Sequence, residues 1–169
     1  MKYDFPILKE SNPRPGGDNA FPLTIVVIYN DLAAAMRAAQ TLERVGNKFF
    51  GRLEQRLMPV PVAHLSDPAR FDHLLSDASS ADMIIVSFNG PSELPPLLKQ
   101  WIESCLGQRR SGDSAVVALL SSNERLDAPD SPRYQFMKNA ARAAGLDYFA
   151  PMPAPGGEAS MTELVGVPA

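Results

Sequence analysis

The sequence predicts a single α/β domain in which a mostly parallel sheet lies between two layers of helices. Three apolar runs, 23–29, 82–87 and 115–120, are rich in β-branched residues, which is typical of strands buried on both faces. Amphipathic helical patterns alternate with these runs, and such alternation indicates βαβ units with right-handed crossovers. The length of 169 residues is close to the usual size of one domain.

The first strand, 23–29, is followed by Asn30 and Asp31, either of which supplies an N-cap for a long helix. Apolar residues spaced three or four apart extend this helical pattern over residues 32–57, and Gly46 and Gly51 interrupt it, which leaves open a kink or a break there. A poorer second strand is predicted at 60–65, where prolines favour a position at the edge of the sheet.

The remaining elements keep the same alternation. They are a helix at 68–79, a buried strand at 82–87, a helix at 95–106, a buried strand at 115–120, a helix that begins at Pro132 and a last strand at 146–150. A chain of this size most often takes the flavodoxin-like strand order 2-1-3-4-5, which also puts the proline-bearing second strand at an edge. We therefore expect a three-layer α/β/α sandwich around a doubly wound, five-stranded parallel sheet.

This α/β domain is expected to span residues 21–153. Residues 1–20 contain several prolines and glycines and no periodicity, which predicts an extended or disordered arm. Residues 154–169 are predicted to be a carboxyl-terminal tail, with at most a weak turn of helix at 161–165.

Composition bears on the partners and the location of the chain. Sixteen Lys and Arg against 19 Asp and Glu give a net charge of −3, and no basic stripe follows a phosphate backbone, so nucleic acid is not an expected partner. No apolar run is long enough to span a bilayer, and no membrane association is expected. The single Cys105 cannot form an intramolecular disulfide, which favours the cytoplasm. A protein partner fits these properties, and the sequence leaves open whether the chain forms a homo-oligomer.

A ligand site, if the domain has one, is expected beyond the carboxyl ends of the first, third and fourth strands. The candidate residues there are mostly neutral hydrogen-bonding groups: Asn30, Asp31, Ser87, Phe88, Asn89, Gly90, Ser121, Ser122, Asn123 and Glu124. They could form a small polar pocket, but residues of these types also cap the helices that follow strands. The sequence leaves both interpretations open.

The usual catalytic constellations are absent from the sequence. His64 and His73 are nine residues apart on different predicted elements, with no cysteine or further histidine at ligand spacing, so no metal site is expected. Cys105 lies on the apolar face of its predicted helix, which favours an inert buried thiol over a nucleophile. No catalytic residue is assigned, and the interpretation leans away from an enzyme.

Two segments, 82–88 and 143–149, resemble the third strand and the approach to the fifth strand of response-regulator receiver domains. The resemblance in the order of elements covers residues 23–153. It implies a flavodoxin-like fold and a role in regulation.

The chemistry of a receiver domain is only partly present. The phospho-acceptor aspartate of the family falls on Ser87, its paired acids fall on Asn30 and Asp31, and its lysine falls near Pro151. The hydroxyl of the family is matched by Ser121. A serine hydroxyl cannot replace a carboxylate nucleophile without an activating base, so the resemblance implies a degenerate receiver domain that is not phosphorylated.

A second resemblance, to flavodoxins and NADPH-dependent FMN reductases, covers about fifteen residues. Phe88-Asn89-Gly90 and the helix that follows are similar to their flavin-side loop and would imply an FMN cofactor. The turn after the first strand instead carries Asp31, whose charge repels a phosphate. The leading hypothesis is therefore a non-catalytic, pseudo-receiver domain that acts in regulation or protein–protein interaction without a cofactor, and the alternative is an FMN-dependent oxidoreductase.

Overall fold

The computed structural model describes residues 23–49, 55–90, 93–108, 114–122, 125–151 and 164–167. The helices are α1 (Leu32–Phe49), α2 (Pro68–Ala78), α3 (Pro96–Gly107) and α4 (Pro132–Ala143). The strands are β1 (Leu23–Tyr29), β2 (Gln55–Pro61), β3 (Met83–Asn89), β4 (Ala115–Ser122), β5 (Arg125–Leu126), β6 (Asp147–Pro151) and β7 (Leu164–Val167). The arm predicted at residues 1–20 lies outside the described residues.

The strands lie in the order β2-β1-β3-β4-β6-β7, and the short β5 pairs with the end of β4. The first five strands of this path run parallel to one another, whereas β5 and β7 are antiparallel additions. The predicted order 2-1-3-4-5 is confirmed, with β6 as the fifth parallel strand. The carboxyl ends of β1, β3 and β4 therefore meet at one edge of the sheet, which we call the carboxyl edge.

Helices cover both faces of the sheet, which confirms the three-layer sandwich. On one face, the small residues Ala34, Ala35 and Ala38 bring α1 close to the strands. On the other face, α2, α3 and α4 pack side by side, and Trp101 and Met137 are fully buried there. β1, β3 and β4 are mostly apolar because their residues contact a helix layer on each side, and the polar residues of β3 and β4 lie at or near their carboxyl ends.

The boundary between the first helix and the second strand differs from the prediction. α1 ends at Phe49, and β2 begins at Gln55 and includes only the first two residues of the predicted segment 60–65, the rest of which forms a 3-10 helix at Val62–Ser66. Leu57, which fits a helical spacing, pairs with β1 and packs on the α1 face, whereas Val60 packs on the opposite face. The alternation of a strand and the spacing of a helix coincide here, so periodicity could not separate the two elements.

The edge position of the second strand is confirmed. β2 pairs only with β1 among the described strands, and it contains Pro59 and Pro61. A proline has no N–H to donate to a neighbouring strand, so it destabilises the sheet least on a strand side that has no neighbour.

The carboxyl-terminal segment contributes a strand. β7 pairs antiparallel with β6, so the weak helical turn expected at 161–165 is wrong for residues 164 and 165, while 161–163 lie outside the described residues. The backbone pairing of β7 with β6 outweighs the weak helical preference of so short a segment.

Candidate functional site

At the carboxyl edge, the ends of β1 and β3 are joined by a reciprocal pair of hydrogen bonds. Asn30 donates from Nδ2 to the carbonyl oxygen of Asn89 at 2.6 Å, and the Asn89 backbone N–H donates to Asn30 Oδ1 at 2.8 Å. The strands are parallel neighbours up to Tyr29 and Ser87, so the amide of Asn30 continues the ladder beyond the strand ends.

Asn89 is the hub of this edge. Its Nδ2 donates to Asp31 Oδ2 at 3.1 Å, and its Oδ1 accepts from Ser121 Oγ at 2.9 Å. The other carboxylate oxygen of Asp31 accepts from the backbone N–H of Ala34 at 2.8 Å, which confirms Asp31 as an N-cap of α1. One asparagine thus connects the ends of β1, β3 and β4, and we call Asn30, Asp31, Asn89 and Ser121 the amide network.

Ser87 lies beneath α1 rather than in a crevice. Its side chain is fully buried, and its hydroxyl donates to the carbonyl oxygen of Ala34 at 2.7 Å. A buried hydroxyl with a backbone partner has neither an activating base nor access for a substrate.

Phe88 packs against the layer of α2, α3 and α4, and Gly90 bonds to the end of β4. The ring of Phe88 is buried on the face that carries α2, α3 and α4, and the Arg133 guanidinium carbon lies 5.8 Å from its centroid. The Gly90 N–H donates to the Ser121 carbonyl oxygen at 3.0 Å, and φ at Gly90 is +157°, where a side chain is rarely accommodated.

A buried ion pair lies beside the amide network. Arg133 donates from Nε and Nη2 to the two carboxylate oxygens of Asp127, both at 2.7 Å. The side chains of Arg133 and Asp127 are only 7% and 10% exposed. The remaining guanidinium donors reach the carbonyl oxygens of Gly90 at 2.9 Å and Ser121 at 3.0 Å, and Ser122 Oγ at 2.8 Å. We call Asp127 and Arg133 the arginine clamp, because this pair joins the loop after β3 to the end of β4.

The arginine clamp was not foreseen from the sequence. Asp127 lies after β5, and Arg133 is the second residue of α4, so neither directly follows a buried central strand. One signal was present, since a cation in the first turn of a helix faces the positive end of the helix dipole. An arginine at that position calls for a nearby acid, and Asp127 is that acid.

β4 pairs with β6 only over residues 115–117, and beyond them the Tyr134 hydroxyl hydrogen-bonds the β4 backbone. This hydroxyl donates to the Leu120 carbonyl oxygen at 3.1 Å and accepts from the Leu120 N–H at 3.0 Å. Burial raises the pKa of Tyr134 to about 12, against a small lowering by the Leu120 hydrogen bond. The phenol is therefore a neutral structural group at physiological pH.

Arg37 approaches the same edge from α1. Its Nη1 lies 3.5 Å from the Leu119 carbonyl oxygen. Partial burial lowers the pKa of Arg37, and Tyr134, Asp31 and Asp127 oppose that shift. Among the described residues, Asp127 is therefore close to both Arg37 and Arg133, and Asp31 is close to Arg37.

The candidate residues divide into three groups. Asn30, Asp31, Asn89, Gly90, Ser121 and Ser122 lie together at the carboxyl edge, Ser87 and Phe88 are buried below it, and Asn123 and Glu124 lie outside the described residues. No cluster of three or more His, Cys, Asp or Glu occurs in the part of the chain that the structure describes. Within that part, the Ser121 hydroxyl donates to the amide oxygen of Asn89, and the Ser122 hydroxyl donates to the Asp127 carboxylate, which is already ion-paired with Arg133.

Comparison with known proteins adds no family assignment. No protein-family model matches the chain, and no curated protein matches it. Among the described residues, no helix combines the length and the apolar character that crossing a membrane requires.

Proposed function

We propose that this chain is a non-catalytic domain of the pseudo-receiver type, which acts in regulation through contact with another protein. One observation carries the proposal. Asn89, an amide, is the residue that contacts both Asp31 and Ser121, the two groups that match receiver positions. The resemblance aligns the acceptor with Ser87, but β3 continues for two further residues and Asn89 takes the central position at the carboxyl edge. An amide side chain is not a nucleophile for phosphoryl transfer.

The closure of the edge supports the same proposal. The side-chain oxygens and nitrogens of Asn30, Asp31 and Asn89 are hydrogen-bonded to one another, to the backbone or to the Ser121 hydroxyl. A ligand at this edge would have to displace those bonds and leave partners unpaired, which is costly in a partly buried site.

Exposed apolar side chains near this edge support contact with a protein. Leu32 and Met36 are 47% and 41% exposed on α1, and Leu97 is 38% exposed in the first turn of α3. Both helices begin at the carboxyl edge, because each follows a parallel strand that ends there. Apolar residues near a polar rim are typical of an interaction surface. A cytoplasmic location remains a prediction from the lone Cys105.

Incubation with acetyl phosphate and Mg²⁺, followed by intact mass measurement, tests the absence of phosphoryl transfer. We expect no phosphate adduct on the wild-type protein, with a phosphorylatable receiver domain as the positive control. A stoichiometric adduct that maps to the carboxyl edge would contradict the proposal.

The protein contact is tested by a photo-crosslinking residue placed at Met36, with the same residue at the exposed Arg142 as a control. We expect the Met36 probe to capture one discrete protein in cells, and Leu32→Ser in the same chain to abolish that capture. Identical products from the Met36 and Arg142 probes, or capture unaffected by Leu32→Ser, would count against an interface at α1.

The FMN alternative gains no support from the geometry. In the loop that resembles the flavin-side loop, the Gly90 carbonyl oxygen already accepts from Arg133 and from Ser122. The Asp31 carboxylate occupies the amino terminus of α1, where a flavin phosphate would need an attractive charge. A colourless purified protein and the absence of FMN fluorescence quenching are the expected results, and Asp31→Ser should improve anion binding at low salt.

A further inference from the structure

The chain contains one Asn-Gly dipeptide, and it lies in the middle of the amide network. The other six asparagines precede proline, alanine, aspartate, lysine or glutamate, so Asn89-Gly90 is the only such pair in the sequence. An asparagine before glycine is the chemically labile case, because glycine has no Cβ to hinder the approach of its backbone nitrogen to the side-chain amide.

Hydrogen bonds engage both reacting groups in the folded chain. The Asn89 side chain is fixed at both ends, by Asp31 at its nitrogen and by Ser121 at its oxygen. The Gly90 nitrogen, which would be the attacking atom, donates its proton to the Ser121 carbonyl oxygen. Ring closure therefore requires at least two of these hydrogen bonds to break.

The arginine clamp immobilises the same segment. Arg133 donates to the carbonyl oxygen of Gly90 and to that of Ser121, which is also the acceptor of the Gly90 N–H. Asp127 holds the guanidinium in place through two oxygens. Loss of the clamp would release the carbonyl group of Gly90 and that of Ser121, which accepts the Gly90 N–H.

We propose that Asn89 is a deamidation site that the arginine clamp keeps unreacted in the closed domain. When the edge opens, the Gly90 nitrogen loses its proton to hydroxide and forms a bond with Asn89 Cγ, and the bond from Cγ to the side-chain nitrogen breaks. That nitrogen takes a proton from water and leaves as ammonia, which regenerates the hydroxide. Water then opens the resulting succinimide and gives aspartate or isoaspartate at position 89. Water is the sole co-reactant, and no oxidation or reduction occurs.

The product would weaken the amide network. A carboxylate at position 89 would face the Asp31 carboxylate in place of the donating amide, and an isoaspartate would lengthen the backbone between β3 and α3. Either product loses the hydrogen bond that Asn89 donates to Asp31. The reaction is therefore a one-way modification that is controlled by how often the carboxyl edge opens.

Peptide mapping of the full chain during incubation at mildly alkaline pH tests the proposal, with aspartate and isoaspartate at position 89 quantified separately. We expect the folded wild type to react at least about tenfold more slowly than the chain in denaturant, because hydrogen bonds must first break. Arg133→Gln should react several-fold faster than wild type, whereas Arg142→Gln, an exposed change on the same helix, should not.

Equal rates for folded and denatured wild type would overturn the proposal, as would equal rates for Arg133→Gln and Arg142→Gln. If circular dichroism shows that Arg133→Gln is unfolded, Arg133→Lys takes its place, because it keeps a cation beside Asp127 but cannot reproduce the forked donors to the Gly90 and Ser121 carbonyl oxygens. Acceleration by Arg133→Lys supports the proposal, and its absence refutes it.

Discussion

Two neighbouring regions of the carboxyl edge are held together by different chemistry. The amide network joins β1 to β3 with neutral groups and one helix-capping carboxylate, and it is partly exposed. The arginine clamp joins the loop after β3 to the end of β4 with a buried, bidentate ion pair. A buried charge is strongly destabilising when its partner is removed, whereas neutral hydrogen bonds contribute modestly and one at a time.

The two regions therefore have different roles. The arginine clamp maintains the structure, whereas the amide network contains the positions that the proposed function concerns. Asp31 and Ser121, which the proposed function aligns with receiver positions, belong to the amide network, in which Asn89 lies between them. The arginine clamp holds the loop after β3 and the end of β4 in place. Substitutions in the two regions should therefore differ in size and in the property that they change.

Arg133→Ala should give the largest effect. It leaves the Asp127 carboxylate buried without its cation, and we expect a loss of about 3–5 kcal/mol in the free energy of unfolding. Urea denaturation measures this loss, with Arg142→Ala on the exposed side of the same helix as the control. The double change Asp127→Ala and Arg133→Ala should recover part of it, because no unpaired charge remains. A loss as small as that of Arg142→Ala would show that the ion pair is not buried in solution.

Tyr134→Phe should have an intermediate effect. It removes the hydroxyl that bonds both the N–H and the carbonyl oxygen of Leu120, and we expect a loss of about 1–3 kcal/mol. Tyr148→Phe is the matched control, because the Tyr148 hydroxyl makes a single 3.4 Å bond to the Tyr134 carbonyl oxygen. Similar losses from the two variants would contradict the role assigned to Tyr134.

The same variant tests a pH dependence. The pKa of Tyr134 is about 12 in the folded protein against 10.0 for an unperturbed tyrosine, so the folded state retains a proton that the unfolded state loses. The free energy of unfolding should therefore fall as the pH rises from about 10 to about 12. Tyr134→Phe should show a shallower fall, and an unchanged slope would argue against a buried phenol.

Asn89→Asp should have the smallest effect on stability and the largest on ligand binding. The new carboxylate faces Asp31, and we expect a loss of about 1–2 kcal/mol at neutral pH. Repulsion raises the pKa of such a pair above its unfolded value, so this loss should shrink on acidification. Mg²⁺ should raise the melting temperature of this variant but not that of the wild type or of the exposed Asn139→Asp. No response of Asn89→Asp to Mg²⁺ would weaken the likeness to receiver domains.

Much of this edge could be predicted from the sequence. Asn30, Asp31 and Ser121 follow or end buried strands, and the carboxyl ends of parallel strands meet at one edge. The role of Asn89 was less accessible, because Ser87 and Asn89 lie on the same side of β3 and only the length of the strand decides which of them reaches the edge.

Local sequence patterns did not predict the arginine clamp or the position of β2. Arg133 becomes a partner of Gly90 only through the packing of α4 against β4, which involves residues that are 43 positions apart. β2 was misplaced because Leu57 fits both a helical and an alternating pattern. Local periodicity does not encode such long-range contacts.

The most direct test of the central claim is an NMR titration of the side-chain NH₂ groups of Asn30 and Asn89. Both donate to protein acceptors in the closed edge, at 2.6 Å and 3.1 Å. Mg²⁺, inorganic phosphate and FMN are added in turn to the wild-type protein, and the same series is run on Asn89→Asp, followed through Asn30. If the carboxyl edge is closed, the wild-type resonances remain dispersed and unshifted up to millimolar concentrations of each ligand. Only Asn89→Asp then responds to Mg²⁺. A saturable shift of the Asn89 side-chain resonances with any of the three additions would show that the edge is a working ligand site and would contradict a non-catalytic, closed domain.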